Sequence, residues 1–160
     1  MKTRNLSKIR IYRIKCQGFS GYTDEAVSQL AFANKFPVVI CATLLAIGVS
    51  LASIPILSFL LLISFLSLVL PYNPFDYLYN YGVRKVIGKP FLPPRSRQFK
   101  FACTLATLWI GLHIFLFAMG HTTAGYISGA LMFCVPFLVA TIDLCIPSMI
   151  YNYLFKVKIQ

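Results

Sequence analysis

From Phe36 to Leu70 the chain carries no charged residue, and this run limits what it can fold into more than any other feature. As one α-helix it would reach ~52 Å at 1.5 Å per residue, against a bilayer hydrocarbon core of ~30 Å. That is too long for one span and suited to two. The stretch Gly48–Pro55, GVSLASIP, supplies the break, because Pro55 has no N–H to donate and is preorganised for the first turn of a new helix. The pattern predicts a helical hairpin with spans at about 31–51 and 54–70. A third apolar run at about 101–119 is followed by the turn GHTTAG, Gly120–Gly125, and a fourth at about 126–150. The expected fold class is an all-α membrane protein, one integral membrane domain of four transmembrane helices in two hairpins.

Charge placement then orients the chain. With 58% hydrophobic and 12% charged residues, the composition is unlike that of a soluble globular domain. Four spans put both termini and the central segment 71–100 on one side, and all fifteen Lys and Arg residues fall there. The positive-inside rule makes that side cytoplasmic. The net charge of +11 does not point to nucleic acid, because the cations flank apolar blocks and do not interleave with aromatics. Anionic lipid headgroups are the simpler counter-charge. Residues 1–21, with Lys2, Arg4, Lys8, Arg10, Arg13 and Lys15, read as a retained basic cytoplasmic tail, since no apolar signal-peptide core follows them. Thr23 is a plausible cap, with Asp24 and Glu25 behind it, for a short amphipathic helix leading through Val27, Leu30 and Ala31 into the first span.

The central segment, PYNPFDYLYNYGVRKVIGKPFLPPRSRQFK, carries its own helix signals. Asn73 suits the N-cap, Pro74 the first position and Asp76 the positive end of the dipole. Phe75, Leu78, Tyr79, Val83, Val86 and Ile87 recur at helical spacing, Arg84 and Lys85 fall in the last turn, and Gly88 and Pro90 stop the helix. A helix over about 74–87 is too short to span and suits the headgroup layer, apolar face down; packing against other protein is the alternative. Arg84, Lys85, Arg95 and Arg97 are then the expected contacts to lipid or to a partner protein.

The segments NPFDYLYNYGVRKVIGKPFLPPRSRQFKFAC and CIPSMIY resemble the domain of unknown function 4395 family of small bacterial membrane proteins, with LPPRSRQFKFA (Leu92–Ala102) the more specific part. The resemblance covers about Tyr22–Tyr151 and implies a four-span protein of the bacterial inner membrane whose biochemical role is not established. Many members carry a Cys-x-x-Cys pair before the final Tyr. Here Cys145 matches the first cysteine and Ser148 stands at the second, which removes one thiol of such a pair.

Few residues suggest chemistry. Asp143 is the only acid within an expected span and shares a face with Gly125, Gly129, Met132, Pro136 and Ala140; Pro147, four residues on, should kink the helix. It is a candidate intramembrane polar site, or else the partner of a loop Arg or Lys. Cys145 is a candidate redox thiol, although Asp143 lies about 200° away around the helix and is poorly placed to activate it. His113 reads as a packed, hydrogen-bonded histidine, and Cys103, Thr107 and Gly111 as a small-residue stripe for packing on the fourth span or a second subunit. No nucleophile elbow, phosphate loop, metal motif or carboxylate pair is present, so no cofactor and no metal are expected. Three functions follow: a non-catalytic membrane partner or scaffold, a thiol-redox component using Cys145, and a small oligomeric transporter using Asp143.

Overall fold

Thr23 opens the first long helix in the computed structural model, which describes residues 6–158. Its hydroxyl accepts the Ala26 N–H, and Asp24 and Glu25 complement the dipole in the first turn. The helix, α2 (Asp24–Ser50), is preceded by α1 (Lys8–Ile14) and a π turn at Lys15–Phe19. The short amphipathic helix expected to lead into the first span is continuous with it, ~40 Å in all.

The predicted hairpin break forms. Gly48 accepts the Ser53 N–H, Ala52 takes a left-handed backbone (φ 45°), and α3 (Ile54–Val69) starts with Pro55 in its first turn. Asn73 and Asp76 then form a reciprocal capping box that opens α4 (Pro74–Leu78). A π turn at Tyr79–Val83 and α5 (Arg84–Ile87) follow, and the pair Ile54–Val69 and Pro74–Ile87 is bent by 82°. Gly88, at φ 62°, ends the segment as its sequence predicts. The expected single apolar face does not survive, however. A π turn adds a residue to the helical repeat, so Tyr79 is fully buried while Val86 is 87% exposed.

Ser96 caps α6 (Arg97–Ala118) through the Phe99 N–H, and α7 (Thr122–Ile142) returns after a short turn. The expected fourth helix to residue 150 is broken: Asp143 adopts a left-handed backbone at φ 60°, and α8 (Ile146–Leu154) starts afresh with Pro147 in its first turn. Pro147 lacks the N–H that would have continued the ladder to the Asp143 carbonyl.

Packing is most extensive between α3 and α6 and between α2 and α7, with α2 also against α3. Leu45, Val49, Leu57, Leu60, Ile110, Phe117 and Met132 fill the middle of the bundle. A side chain at Gly129 would collide with the Val49 methyls, so α2 and α7 approach there as only glycine permits. Helices α2, α6 and α7 are long and apolar enough to cross a membrane, and α3 with its bent continuation makes a fourth if counted as one span.

A second core gathers Ile14, Phe19, Val27, Leu30, Tyr79 and Leu92. Of the basic tail read at residues 1–21, residues 6–21 pack into the fold, while Lys2 and Arg4 lie outside the described residues. Cations drew attention away from Ile11, Ile14 and Phe19, whose apolar surface drives the docking.

Candidate functional site: a polar junction and a thiol-lined cleft

The docked N-terminal segment meets the end of α7 at Asp143, which is 1% exposed. Arg10 Nε donates to its Oδ2 at 2.6 Å, and Lys35 Nζ stands 3.0 Å from Oδ1 as an ion pair without hydrogen-bond geometry. Lys35 also donates to Ala140 O (2.9 Å) and Arg13 to Ile142 O (3.1 Å). Cations therefore cover the negative end of the α7 dipole. The expectation that a basic residue pairs with Asp143 is met, but from the N-terminal segment and α2, not from the central segment.

A run of hydrogen bonds leads on from there. Gln17 Nε2 donates to Asp143 O at 2.8 Å, Asn34 Nδ2 to Gln17 Oε1 at 2.9 Å, and Arg95 Nη1 to Asn34 Oδ1 at 2.6 Å. Arg95 Nε and Nη2 then grip the two oxygens of Asp76 at 2.7 Å each, and Asn73 N–H donates to Asp76 Oδ2 at 2.8 Å. Ser96 Oγ donates to Gln17 O at 2.7 Å. A side chain at Gly18 would strike Ser96, and its φ of 105° is one that glycine adopts without strain. The junction joins the N-terminal segment, α2, the central segment and the α7–α8 break.

This geometry corrects one expected contact. Arg95 is not available to lipid or a partner: its side chain is buried, committed to Asp76 and Asn34, and lies 4.2 Å from the Phe99 ring centre. Arg84 is half-buried, donates to Asn80 O and lies over the Phe91 ring, whereas Lys85 and Arg97 are exposed. Asp143 and Asp76 are both held in ion pairs.

Beside the junction is a cavity of about 500 Å³ between α2, α6 and α7. Cys41, Cys103 and Cys145 all line it, with Gln17, Ser64, Asn73 and Ser148 as its polar members. Ser148 Oγ donates to Cys145 Sγ at 3.1 Å. Burial pushes the Cys145 thiol up from its ordinary 9.0, only partly offset by Ser148, and raises Cys16 for the same reason. A nucleophilic or redox thiol needs the opposite shift. Among the described residues no group of three or more His, Cys, Asp or Glu side chains is placed to hold a metal ion. His113 is packed as expected; neither ring nitrogen makes a hydrogen bond of good geometry, and the Ser128 backbone is a polar neighbour of the ring.

The family model for a domain of unknown function (DUF4395) matches residues 28–156. The chain belongs to the DUF4395 family. No curated protein and no solved structure matches it. The DUF4395 match takes in Asn34, Lys35, Asp76, Arg95 and Asp143 but leaves out Arg10 and Gln17, so the junction draws on residues beyond the part that defines the family. Gln17, Asn34 and Lys35 are among the members that sequence reasoning missed. Asn34 offered one signal, an amide on an otherwise apolar helical face with Val27, Leu30 and Ala31.

Proposed function

We propose that the chain is a non-catalytic, multi-pass scaffold of the bacterial inner membrane whose basic end faces the cytoplasm and binds the anionic headgroup surface. The observation that carries this reading is the distribution of acids. Three of the four are consumed inside ion pairs, Asp24 with Lys15, Asp76 with Arg95, and Asp143 with Arg10 and Lys35. Lys85, Arg97, Lys100, Lys156 and Lys158 make no ion pair among the described residues. Arg97 and Lys100 stand in the first turn of α6, which holds no acid. Cations there oppose the helix dipole and cost stability, yet together with that dipole they favour an anion such as a lipid phosphate. The opposite end, with the turns after α2 and α6, has no charged residue. On the central segment, exposed Leu78, Tyr81 and Val86 suit the boundary between headgroups and acyl chains.

A redox role for Cys145 lacks a second cysteine at Ser148 and a lowered thiol pKa. A transport role for Asp143 lacks an unoccupied carboxylate.

The test compares unfolding of the full chain in nanodiscs with and without phosphatidylglycerol, beside the triple variant Lys85→Gln/Arg97→Gln/Lys100→Gln. Anionic lipid should stabilise the parent by up to ~1 kcal/mol per engaged cation and the variant far less. Equal stabilisation of both would remove the basis for this reading.

A further inference from the structure

We infer that the amino-terminal segment is a hinged lid that controls access from water to the three thiols of the cleft, parting from α6, α7 and α8 while it stays on α2. The inference rests on the membrane placement proposed above, because lipid has to close the cleft's lateral side. The rim there includes Leu105, Leu108 and Leu112, exposed on a helix that is long and apolar enough to span. At the polar end the walls are the first turns of α6 and α8, where Phe99, Cys145 and Ser148 line the cavity. The π turn Lys15–Phe19 packs on both helices, and its Gln17, only 6% exposed, is itself part of the lining. This turn therefore bridges the two walls at the polar mouth of the cleft.

The two faces of the segment are held by different forces. Ile14 and Phe19 are buried with Val27, Leu30, Tyr79 and Leu92, an apolar contact with α2 and the central segment. Toward the cleft walls the bonds are polar. Gln17 Nε2 donates to Asp143 O, Ser96 Oγ to Gln17 O, and Asn152 Nδ2 to Cys16 O at 2.7 Å, while Arg10 and Arg13 reach Asp143 and Ile142 O. Water replaces a hydrogen bond at small net cost but cannot replace an apolar contact, so the segment opens along its polar face. Gly18 stands at that face. A Cβ there would overlap Ser96, so segment and α6 meet without slack when the lid is shut.

The full chain is placed in nanodiscs, where both aqueous faces meet the reagent, and treated with a methanethiosulfonate that carries a sulfonate and does not cross lipid. Mass spectrometry reads the mixed disulfide at each cysteine. In the parent, Cys103 and Cys145 should be modified about a hundredfold more slowly than in SDS. Arg10→Ala removes the bond to Asp143, and Gly18→Ala drives a methyl group into Ser96; each should speed modification of Cys145 about tenfold. Adding Ser96→Gly to Gly18→Ala takes away the atoms that are struck and should recover part of the protection. Cys134, on the outer surface of α7, should keep its parent rate in every variant. If neither Arg10→Ala nor Gly18→Ala speeds Cys145, the lid is overturned. Acceleration of Cys134 in step with Cys145 also overturns it, because the bundle then opens as a whole. A chain that does not enter nanodiscs refutes the membrane placement, whereas one that enters with Cys145 as reactive as in SDS refutes the lid alone.

Discussion

Arg95 holds Asp76 in a two-pronged grip, 2.7 Å at each oxygen, with both side chains sealed from solvent. Its third nitrogen reaches Asn34, so one planar guanidinium fixes the central segment to α2. A lysine offers a single point charge and cannot reproduce that fork. Arg95→Lys should therefore cost about 3 kcal/mol, near the loss of a buried pair, whereas Arg97→Ala, two residues on and exposed, should change stability by no more than ~0.5 kcal/mol. Reversible unfolding in mixed micelles measures both.

Asp143 combines a charge with a left-handed backbone, and two substitutions separate these roles. Asn tolerates that backbone and keeps the shape while losing the charge; Ala loses both. Asp143→Asn should cost about 2–3 kcal/mol, less than a fully buried pair because Arg10 is 35% exposed. Asp143→Ala should cost ~1 kcal/mol more. In an Arg10→Ala background the Asn substitution should cost less, and strict additivity would show that the Arg10–Asp143 pair carries no coupling.

His113 is buried with neither ring nitrogen in a well-formed hydrogen bond, and the neighbouring Ser128 backbone offsets that cost only in part. Replacing it with an apolar side chain of similar bulk removes that cost. His113→Leu should raise the unfolding free energy by about 1–3 kcal/mol. Destabilisation on the same micelle assay would mean that the imidazole has a partner in the working protein.

The buried thiols predict the alkaline limit of stability. Cys16 and Cys145 are both raised above 9.0 in the fold, so above that pH the unfolded chain binds fewer protons than the native one. Their contribution is complete below pH 9 and is lost as pH climbs through the raised values. The unfolding free energy of the parent, relative to Cys16→Ala/Cys145→Ala, should fall as pH rises above 9, and a pH-independent difference would contradict the shift. At pH 7.5 both thiols should react with maleimide far more slowly than a free cysteine, with the difference vanishing in SDS.

Local chemistry was legible wherever a cap or a break decided it. Thr23, Asn73, Gly88 and Pro55 each act within a few residues of their position, and their elements form where the pattern puts them. Charge segregation likewise marked one end of the bundle as polar. What was not legible depends on partners far along the chain. A string of cations at 8–15 reads as a solvated tail until a buried Asp143 is known to need them. Arg95 looks like a surface cation until Asp76 and Asn34 are brought beside it. The π turn at Tyr79–Val83 has no sequence signature that a fixed helical repeat detects, and it takes Val86 off the buried face of Tyr79. The cleft is harder still, since its wall comes from helices joined in no simple order and only packing creates it.

The bond between Arg10 and Asp143 also imposes an order on biogenesis. The first partner is made early and the second some 133 residues later, after every long apolar helix has been synthesised. Until then Arg10 and Lys35 have no counter-ion, and Gln17 lacks the carbonyl that anchors it. A chain halted before residue 143 thus keeps the apolar contacts of its amino-terminal segment with α2 and the central segment but lacks the ion pair that holds Arg10. Completion of α7 supplies that counter-ion, to Arg10 and Lys35 together.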